Sequence, residues 1–350
     1  MVATTSKFSS ASSKLPALTL SPGRLLLTSQ FSKPQLPPKD LNPSGQTVII
    51  TGANNGIGFA CAKLLLQQGL SHLIIAVRSE AKGRDAAEQL SRVVSDAKIE
   101  VWALDMGSYI SIDKFVKRCE TLSRLDCVIL NAGMGNPTLK INESTGHEET
   151  LQVNFLSTMY LSVLLLPILK DKSPPSSPGR LTVVNSGSSM HCELPEAKSD
   201  PLLPAFSSEA TYDGMSHYAK SKLLGQLFID KLARYIDPKD VIINCVDPGL
   251  TKGTGLMDKS PIVLKIVMTI IARILGRTQE QGASTYVDAA FTKGDETHGS
   301  FLMDWRIYPF GKYYYSAERE DVQDRLWKEM MDEFEFANME WIINSMGRRD

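Results

Sequence analysis

Tyr218 and Lys222 lie four residues apart in a segment predicted to be helical from Tyr218 to about Tyr235. Residues at i and i+4 share one face of a helix. A phenol has a pKa of about 10 and is a poor acid near neutrality, and a nearby ammonium lowers that pKa by favouring the phenolate. The spacing therefore places an ammonium where it can lower the pKa of the phenol, although a tyrosine and a lysine four apart also occur often by chance.

A glycine-rich turn follows the first predicted strand, Thr47–Thr51, and precedes an apolar helix at Phe59–Gln68. Glycines between a strand and a helix let the backbone approach a pyrophosphate and aim helix N-terminal N–H groups at it. The alternative is a tight turn without a ligand, but the flanking strand and helix favour a dinucleotide site. Its predicted binding residues are Gly52, Asn54, Asn55, Gly56, Ile57 and Gly58.

Short apolar, β-branched runs alternate with helix-patterned segments from Thr47 onward. This alternation is typical of repeated βα units that form a parallel sheet. Several runs are apolar on consecutive positions, as expected for strands covered on both faces by helices. The prediction is one α/β, Rossmann-type, doubly wound domain over residues 41–350, with a mainly parallel sheet of seven strands. These are Thr47–Thr51, His72–Val77, Ile99–Leu104, Asp126–Leu130, Arg180–Asn185, Asp240–Val246 and Gly299–Met303.

The composition indicates a small-molecule partner. Of 350 residues, 43% are hydrophobic and 22% are charged, and the formal net charge is −1. This balance gives no general attraction to nucleic acid or to an anionic membrane. The five cysteines and five histidines lack metal-ligand spacing, so we expect neither a metal site nor a disulfide framework.

Further motifs occur in a fixed order after the glycine turn, and together they resemble the short-chain dehydrogenase/reductase family from about Gln46 to the end of the chain. They are Gly-x-x-x-Gly-x-Gly at Gly52–Gly58, Asp105, Asn131-Ala132-Gly133, Asn154, Ser186, Tyr218-x-x-x-Lys222 and Pro248-Gly249. The resemblance is strongest to the retinol-dehydrogenase-like branch, and to fungal relatives that tailor polyketides or terpenoids.

The resemblance implies four catalytic residues. Tyr218 would donate its proton to a carbonyl oxygen, and Lys222 would tune it and hold the nicotinamide ribose. Ser186 would hydrogen-bond the substrate oxygen as charge develops. Ser188 is the alternative serine, and Asn185 stands where many relatives have another serine. Asn154 would anchor a proton-relay water, although a buried asparagine that bonds only to backbone fits the pattern too.

The predicted coenzyme is NADP(H). The second strand ends at Ala76-Val77-Arg78-Ser79, where Arg78 can bind a 2′-phosphate and no carboxylate repels it. The alternative is that Arg78 is a solvated residue after a strand. Lys82 would assist it. The family pattern adds Asp105 as an adenine contact, or an ordinary helix cap, and places further coenzyme contacts at Asn131, Ala132, Gly133, Pro248, Gly249 and Thr251.

Three segments lie outside the regular pattern. Residues 1–40 carry no acid before Asp40 and predict a disordered basic tail or a targeting peptide. Residues 190–216 contain three prolines and predict a long loop on the substrate side. Residues 255–278 include Ile262–Leu275, apolar except for Lys265, Thr269 and Arg273. This helix predicts a lid over the substrate, a helix resting on a membrane surface, or a core or dimer helix.

The sequence therefore predicts an NADPH-dependent oxidoreductase that interconverts a carbonyl and an alcohol on an apolar substrate, in a secondary-metabolite tailoring step. The alternatives are a retinoid- or steroid-type dehydrogenase, and a membrane-docked nucleotide-binding regulator without turnover. The expected location is cytoplasmic, with organellar targeting as the alternative. The helical pattern of the C-terminal tail from Glu318 to Met346 is consistent with a homodimer contact.

Overall fold

The structure, a computed structural model, describes residues 8–255 and 262–347. Within them, one sheet runs in the order β3-β2-β1-β4-β5-β6-β7-β8, and every neighbouring pair is parallel except β7 and β8. The strands are β1 (Thr47–Thr51), β2 (His72–Val77), β3 (Lys98–Ala103), β4 (Cys127–Leu130), β5 (Gly179–Val184), β6 (Val241–Val246), β7 (Phe301–Met303) and β8 (Arg306–Tyr308).

The mainly parallel α/β sheet is confirmed, but the prediction of seven strands was one short. The missed strand, β8, has three residues and pairs antiparallel with β7 across Asp304 and Trp305. Both turn residues have positive φ, 55° and 58°. Such two-residue hairpins are ordinarily marked by Asn-Gly or Asp-Gly, and Asp-Trp lacks that signal.

Helices cover both faces of the sheet. Alternate residues of β1 point in opposite directions, so Ile49 lies in one apolar core and Val48 and Ile50 in the other. The helices are α1 (Ala11–Lys14), α2 (Pro22–Gln30), α3 (Gly56–Gln67), α4 (Glu80–Ser91), α5 (Tyr109–Glu120), α6 (Glu149–Leu151), α7 (Ser157–Lys172), α8 (Gly214–Ala233), α9 (Ile262–Leu275), α10 (Gln279–Val287), α11 (Arg319–Glu333) and α12 (Met339–Met346). This doubly wound arrangement confirms the predicted fold class.

Two predicted helices have different limits in the structure. Helix α8 begins at Gly214, one turn before Tyr218, because Asp213 caps it by accepting a hydrogen bond from the Ser216 N–H (2.7 Å). The C-terminal helical segment is split into α11 and α12 at Asn338, which adopts a left-handed conformation with φ 53°. Asparagine tolerates that conformation better than most residues.

Residues 10–30 make contacts with the rest of the fold, whereas the sequence predicts a disordered tail or a targeting peptide over residues 1–40. Ser10 donates a hydrogen bond to Asp230 in α8 (2.8 Å), and Ser12 accepts one from the Phe301 N–H in β7 (2.9 Å). Ser29, in α2, donates to Asp304 (2.6 Å). These long-range contacts could not be read from a Ser- and Pro-rich composition. The targeting alternative stays a prediction.

The loop at 190–216 contains short 3-10 turns at Pro195–Lys198, Leu203–Ser207 and Glu209–Thr211. Helix α9 has the predicted bounds, while residues 256–261 of the predicted segment 255–278 lie outside the described residues. Within the described part of the chain, the helical run Glu149–Lys172 is long and apolar enough to cross a membrane. It is mostly buried in the fold, as expected for a core helix.

Candidate active site

Helix α8 places Tyr218 and Lys222 against the carboxyl end of β5. The Lys222 Nζ donates a hydrogen bond to the Val184 carbonyl oxygen (2.9 Å) and lies 5.8 Å from the centroid of the Tyr218 ring. Carboxyl ends of parallel strands are where open α/β sheets bind their ligands. The predicted acid and its cation are therefore neighbours at the edge of the sheet where a ligand is expected.

The ionisation of this pair differs from the simple expectation that the lysine lowers the pKa of the tyrosine. Burial raises the pKa of Tyr218 to about 12, against a side-chain hydrogen bond with Ser186 that lowers it. Burial also lowers the pKa of Lys222 to about 8. A phenol with such a pKa keeps its proton at neutral pH, but it is a weaker acid than a free tyrosine, so proton donation requires stabilisation of the phenolate by a nearby positive charge.

Ser186 is the serine that forms a hydrogen bond with Tyr218, and Ser188 is hydrogen-bonded to Ser186 in turn. Ser186 follows β5 and accepts hydrogen bonds from the N–H (3.2 Å) and the hydroxyl (3.0 Å) of Ser188. Asn185 has a structural role: its Nδ2 donates to the Lys222 carbonyl oxygen (2.9 Å) and its Oδ1 accepts from the Ser186 N–H (2.8 Å). The asparagine thus fixes the end of β5 to α8.

Asn154 lies in a π-helical segment, Gln152–Leu156, and such segments are frequent at functional sites. Its Oδ1 accepts from the Met134 N–H (2.8 Å), and its Nδ2 donates to the Met134 carbonyl oxygen (2.8 Å) and to Ser221 (3.1 Å). A Cβ added at Gly133 would lie 3.2 Å from the Asn154 Oδ1 and 3.6 Å from the Lys222 Nζ. Asn154 is therefore both tied to the backbone and close to the lysine.

The glycine turn leaves room for an anion at the start of α3. Gly52 and Gly56 have positive φ, +67° and +61°, and among the described residues nothing lies within 4 Å of where a Cβ at Gly56 would be. Helix α3 begins at Gly56, and the side chain of its capping residue, Asn55, makes no capping hydrogen bond there. The first N–H groups of a helix have no intrahelical acceptor, and such groups at an open glycine turn fit a pyrophosphate.

The same turn is packed tightly on its other side. A Cβ at Gly58 would lie 2.5 Å from the Asn131 Nδ2, which donates to the Thr51 carbonyl oxygen (2.8 Å). The Ala132 N–H donates to the Thr51 hydroxyl (2.9 Å). Asn131 and Ala132 therefore connect the ends of β1 and β4 beneath the turn, while Gly133 is exposed. In the turn itself, Asn54 and Ile57 are half-buried.

Two basic side chains lie where the adenosine end would bind. Arg78 directly follows β2, Lys82 lies in the first turn of α4, and both are exposed. Asp105, after β3, is half-buried, and its Oδ1 accepts from the Gly107 N–H (2.9 Å). Asp105 thus stabilises its own turn, but it does not cap a helix, because the capping residue of α5 is Ser108.

The segment Pro248–Thr251, hereafter the Pro248 turn, follows β6. Gly249 has φ +72°, and the Thr251 hydroxyl donates to its carbonyl oxygen (3.1 Å). Asp247 precedes the turn and accepts hydrogen bonds from the N–H groups of Gly187 (2.8 Å) and Gly249 (3.0 Å). Burial raises the pKa of Asp247 to about 6, and these hydrogen bonds oppose the rise.

Asp247 is a residue of the candidate site that sequence reasoning missed. Its carboxylate fixes the segment after Ser186 to the Pro248 turn, so it sets the distance between Ser186 and that turn. The available signal was an acid at the end of an apolar strand, directly before Pro-Gly. An ordinary turn carries the same signal, and the second partner, Gly187, is 60 positions away.

A cleft of about 420 Å³ lies on the substrate side, between the loop at 190–216 and the start of α8. It is lined by Ser188, His191, Cys192, Glu193, Pro195, Met215, Ser216, Ala219 and Lys220. Several side chains of α9 are exposed and apolar: Ile262, Ile266, Val267, Ile270 and Ile274. In the described ranges, no group of three His, Cys, Asp or Glu side chains could hold a metal ion.

Comparison with known proteins gives a consistent result. A family model described as short chain dehydrogenase matches residues 46–195. "Short chain dehydrogenase/reductase mfmJ" of Annulohypoxylon moriforme is 46% identical over 339 residues, covering 96% of this chain and 98% of the relative. "Short chain dehydrogenase virL" of Hypocrea virens is 42% identical, covering 91% and 94%. Among solved structures, the NADPH-dependent 3-quinuclidinone reductase of Rhodotorula rubra is 24% identical with a TM-score of 0.57, covering 77% of this chain and 94% of that one.

Proposed function

The chain belongs to the short chain dehydrogenase family, and on that basis we propose that it is an NADPH-dependent reductase that interconverts a carbonyl and an alcohol on an apolar small molecule. The observation that supports this proposal most directly is the cluster of Tyr218, Ser186 and Lys222 at the carboxyl end of β5. A nucleotide-binding regulator would not need a proton donor there.

The coenzyme would supply the hydride, and this chain's own residues would bind it and move the proton. The turn from Gly52 to Gly58 would hold the pyrophosphate, because the first N–H groups of α3 lack intrahelical acceptors and the space beside Gly56 is open among the described residues. The Pro248 turn would hold the nicotinamide end. Tyr218 would donate its hydroxyl proton to the carbonyl oxygen, and Ser186 would hydrogen-bond the same oxygen as negative charge develops on it.

Lys222 would keep a positive charge close to the phenol and to the ribose as Tyr218 gives up its proton. Its Nζ is anchored by the Val184 carbonyl oxygen, which leaves its other two N–H donors for the ligand side. Asn154, near the same lysine, would anchor the water through which Tyr218 regains its proton.

NADPH is proposed rather than NADH because of Arg78. This residue follows β2 and is exposed, and no carboxylate stands at the strand end to repel a 2′-phosphate. A guanidinium can form two parallel hydrogen bonds to a phosphate. Lys82, one turn into α4, adds a second positive charge on the same side.

The proposed substrate is apolar, and the proposed role is a tailoring step on a polyketide or terpenoid. The support is the exposed apolar surface of α9 next to the Pro248 turn, together with the relatives' origin in fungi. The same surface favours a second candidate role for α9, peripheral contact with a membrane, in which Lys265 and Arg273 would face anionic lipid. A cytoplasmic location and a homodimer remain proposals.

The test is NADPH oxidation by the full chain against a panel of apolar ketones and aldehydes, with Tyr218→Phe as the diagnostic variant. Removing the proton donor should lower kcat roughly 10³-fold. NADPH affinity should stay within twofold. Tyr235→Phe is the matched control, because Tyr235 stacks on Trp327 in the core and should keep full activity. Full activity in Tyr218→Phe would overturn the mechanism.

A flotation assay separates the two roles of α9. Vesicles containing phosphatidylserine are mixed with the protein, with and without NADPH, and compared with Ile270→Asp, which puts a charge on an exposed apolar position. A lid needs no lipid, so the lid role predicts no flotation. Flotation that Ile270→Asp abolishes would support membrane contact instead.

A further inference from the structure

The C-terminal end of α2 contacts the Pro248 turn through one side chain, Gln30. Its Nε2 donates to the carbonyl oxygen of Leu250 (2.8 Å), and its Oε1 accepts from the N–H of the same residue (3.1 Å). The Nε2 also donates to the carbonyl oxygen of Leu275, at the last turn of α9 (3.1 Å). One amide therefore satisfies both backbone groups of Leu250 and joins the turn to the apolar helix.

Ser29 reaches the same turn through Arg277. The Arg277 Nη1 donates to the Pro248 carbonyl oxygen (3.0 Å), and its Nη2 donates to the Ser29 carbonyl oxygen (2.9 Å). Arg277 also forms an ion pair with Asp304, which accepts a further hydrogen bond from the Ser29 hydroxyl (2.6 Å). Both side chains of the pair are 2% exposed. Buried ion pairs persist only where such additional hydrogen bonds complete them.

The two side chains leave no space around Gly249. A Cβ at this position would lie 2.6 Å from the Arg277 Nη1 and 2.9 Å from the Gln30 Oε1. The conformation of the turn is therefore fixed from outside by Gln30 and Arg277. Backbone hydrogen bonds from the Arg277 N–H to Leu250 and from the Lys252 N–H to Arg277 add to this support, as do the bonds made by Asp247 and Thr251.

We infer that Gln30 is a positioning residue for the nicotinamide end of the coenzyme, and that residues 10–31 form part of the catalytic domain. This inference rests on the proposed function, which assigns the nicotinamide end to the Pro248 turn. Because Gln30 also holds Leu275, it fixes the base of α9 relative to that turn. Removal of this segment, as in cleavage of a targeting peptide, would leave Leu250 and Arg277 without these partners.

The test measures binding of two ligands to full-length Gln30→Ala and Gln30→Glu. One ligand is the whole coenzyme, NADPH or NADH, whichever the wild-type protein binds more tightly. The other is its adenosine fragment, adenosine 2′,5′-bisphosphate or ADP, which lacks the nicotinamide. Gln30→Glu keeps an acceptor for the Leu250 N–H. Its second carboxylate oxygen replaces the Nε2 donor and therefore faces the carbonyl oxygens of Leu250 and Leu275. Thr28→Ala, at an exposed position of the same helix, is the matched control.

Both Gln30 variants should weaken binding of the whole coenzyme roughly tenfold, because a Pro248 turn released from Gln30 must be ordered when the nicotinamide end binds. Binding of the adenosine fragment should stay within twofold, as should all binding by Thr28→Ala. A change in overall folding would weaken both ligands equally, and that result would overturn the inference. Unchanged coenzyme binding in both variants would overturn it too. If the wild-type protein binds neither coenzyme, the proposed function fails and this inference fails with it.

Discussion

The two ends of the proposed coenzyme site are built in different ways. The glycine turn lies within a single strand-turn-helix unit, with added support from Asn131 and Ala132 after the next strand in the sheet. The Pro248 turn depends on Gln30, which is 220 positions away from Leu250. A local motif can be recognised in the sequence, whereas a support from distant residues becomes visible only when the chain is folded.

The largest expected effect concerns the long-range contacts that support the Pro248 turn. Asp304→Asn keeps the shape of the side chain and a residue that tolerates φ 55°, but leaves Arg277 buried without a counter-charge. The free energy of unfolding should fall by about 3 kcal/mol or more. Urea denaturation measures this. The control is Asp324→Asn. The Asp324 side chain is 76% exposed and pairs with Lys231, so its loss should lower the free energy of unfolding by less than about 1 kcal/mol. A loss below 1 kcal/mol in Asp304→Asn would contradict the structural role of the pair.

Arg78→Glu tests the end of the proposed site that contains the glycine turn, and it does so through coenzyme binding rather than through stability. The substitution should raise the KM for NADPH roughly 10- to 100-fold, because a charge-assisted hydrogen bond to the 2′-phosphate is replaced by repulsion. The KM for NADH should change little, since NADH lacks that phosphate. Arg84→Glu, on the exposed face of α4, is the control. Equal increases for both coenzymes would refute the assignment of Arg78.

Gly58→Ala tests how closely the local unit is packed. The added Cβ would lie 2.5 Å from the Asn131 Nδ2, so Asn131 must move and its support of Thr51 weakens. We expect a loss of about 1–3 kcal/mol in the free energy of unfolding, together with weaker coenzyme binding. Gly23→Ala, where nothing lies within 4 Å, is the control and should not destabilise the protein. Normal stability and binding in Gly58→Ala would show that the turn can adjust.

The smallest expected effect is the change of activity with pH, which depends on the ionisation of Lys222. The pKa of Lys222 is lowered to about 8, so the lysine loses its charge as the pH rises through that value. The value of kcat/KM for the coenzyme, which reports ionisations of the free enzyme, should fall roughly fourfold between pH 7 and pH 8.5. Lys231→Met should keep this profile. A flat profile over that interval would show that the charge of Lys222 is not required.

The sequence was sufficient to predict the fold class, and it identified a glycine turn and a Tyr–Lys pair that the structure places at the ligand-binding edge of the sheet. These features depend on strand and helix periodicity and on short spacings, which are local properties. The roles of Asp247, Asn185, Gln30 and Arg277 were not identified. These roles depend on partners that are between 29 and 248 positions away, and each residue looks like an ordinary polar residue in its own segment.

The contact between Ser29 and Arg277 also has a consequence for how the protein is made. The two residues are 248 positions apart, and Asp304, which completes their network, is later still. Contacts over such separations form late, because the entropy cost of closing the loop is paid before the contact is made. A growing chain on the ribosome can therefore form its glycine turn early. It acquires a finished Pro248 turn only after β7 and the residues that follow it have emerged.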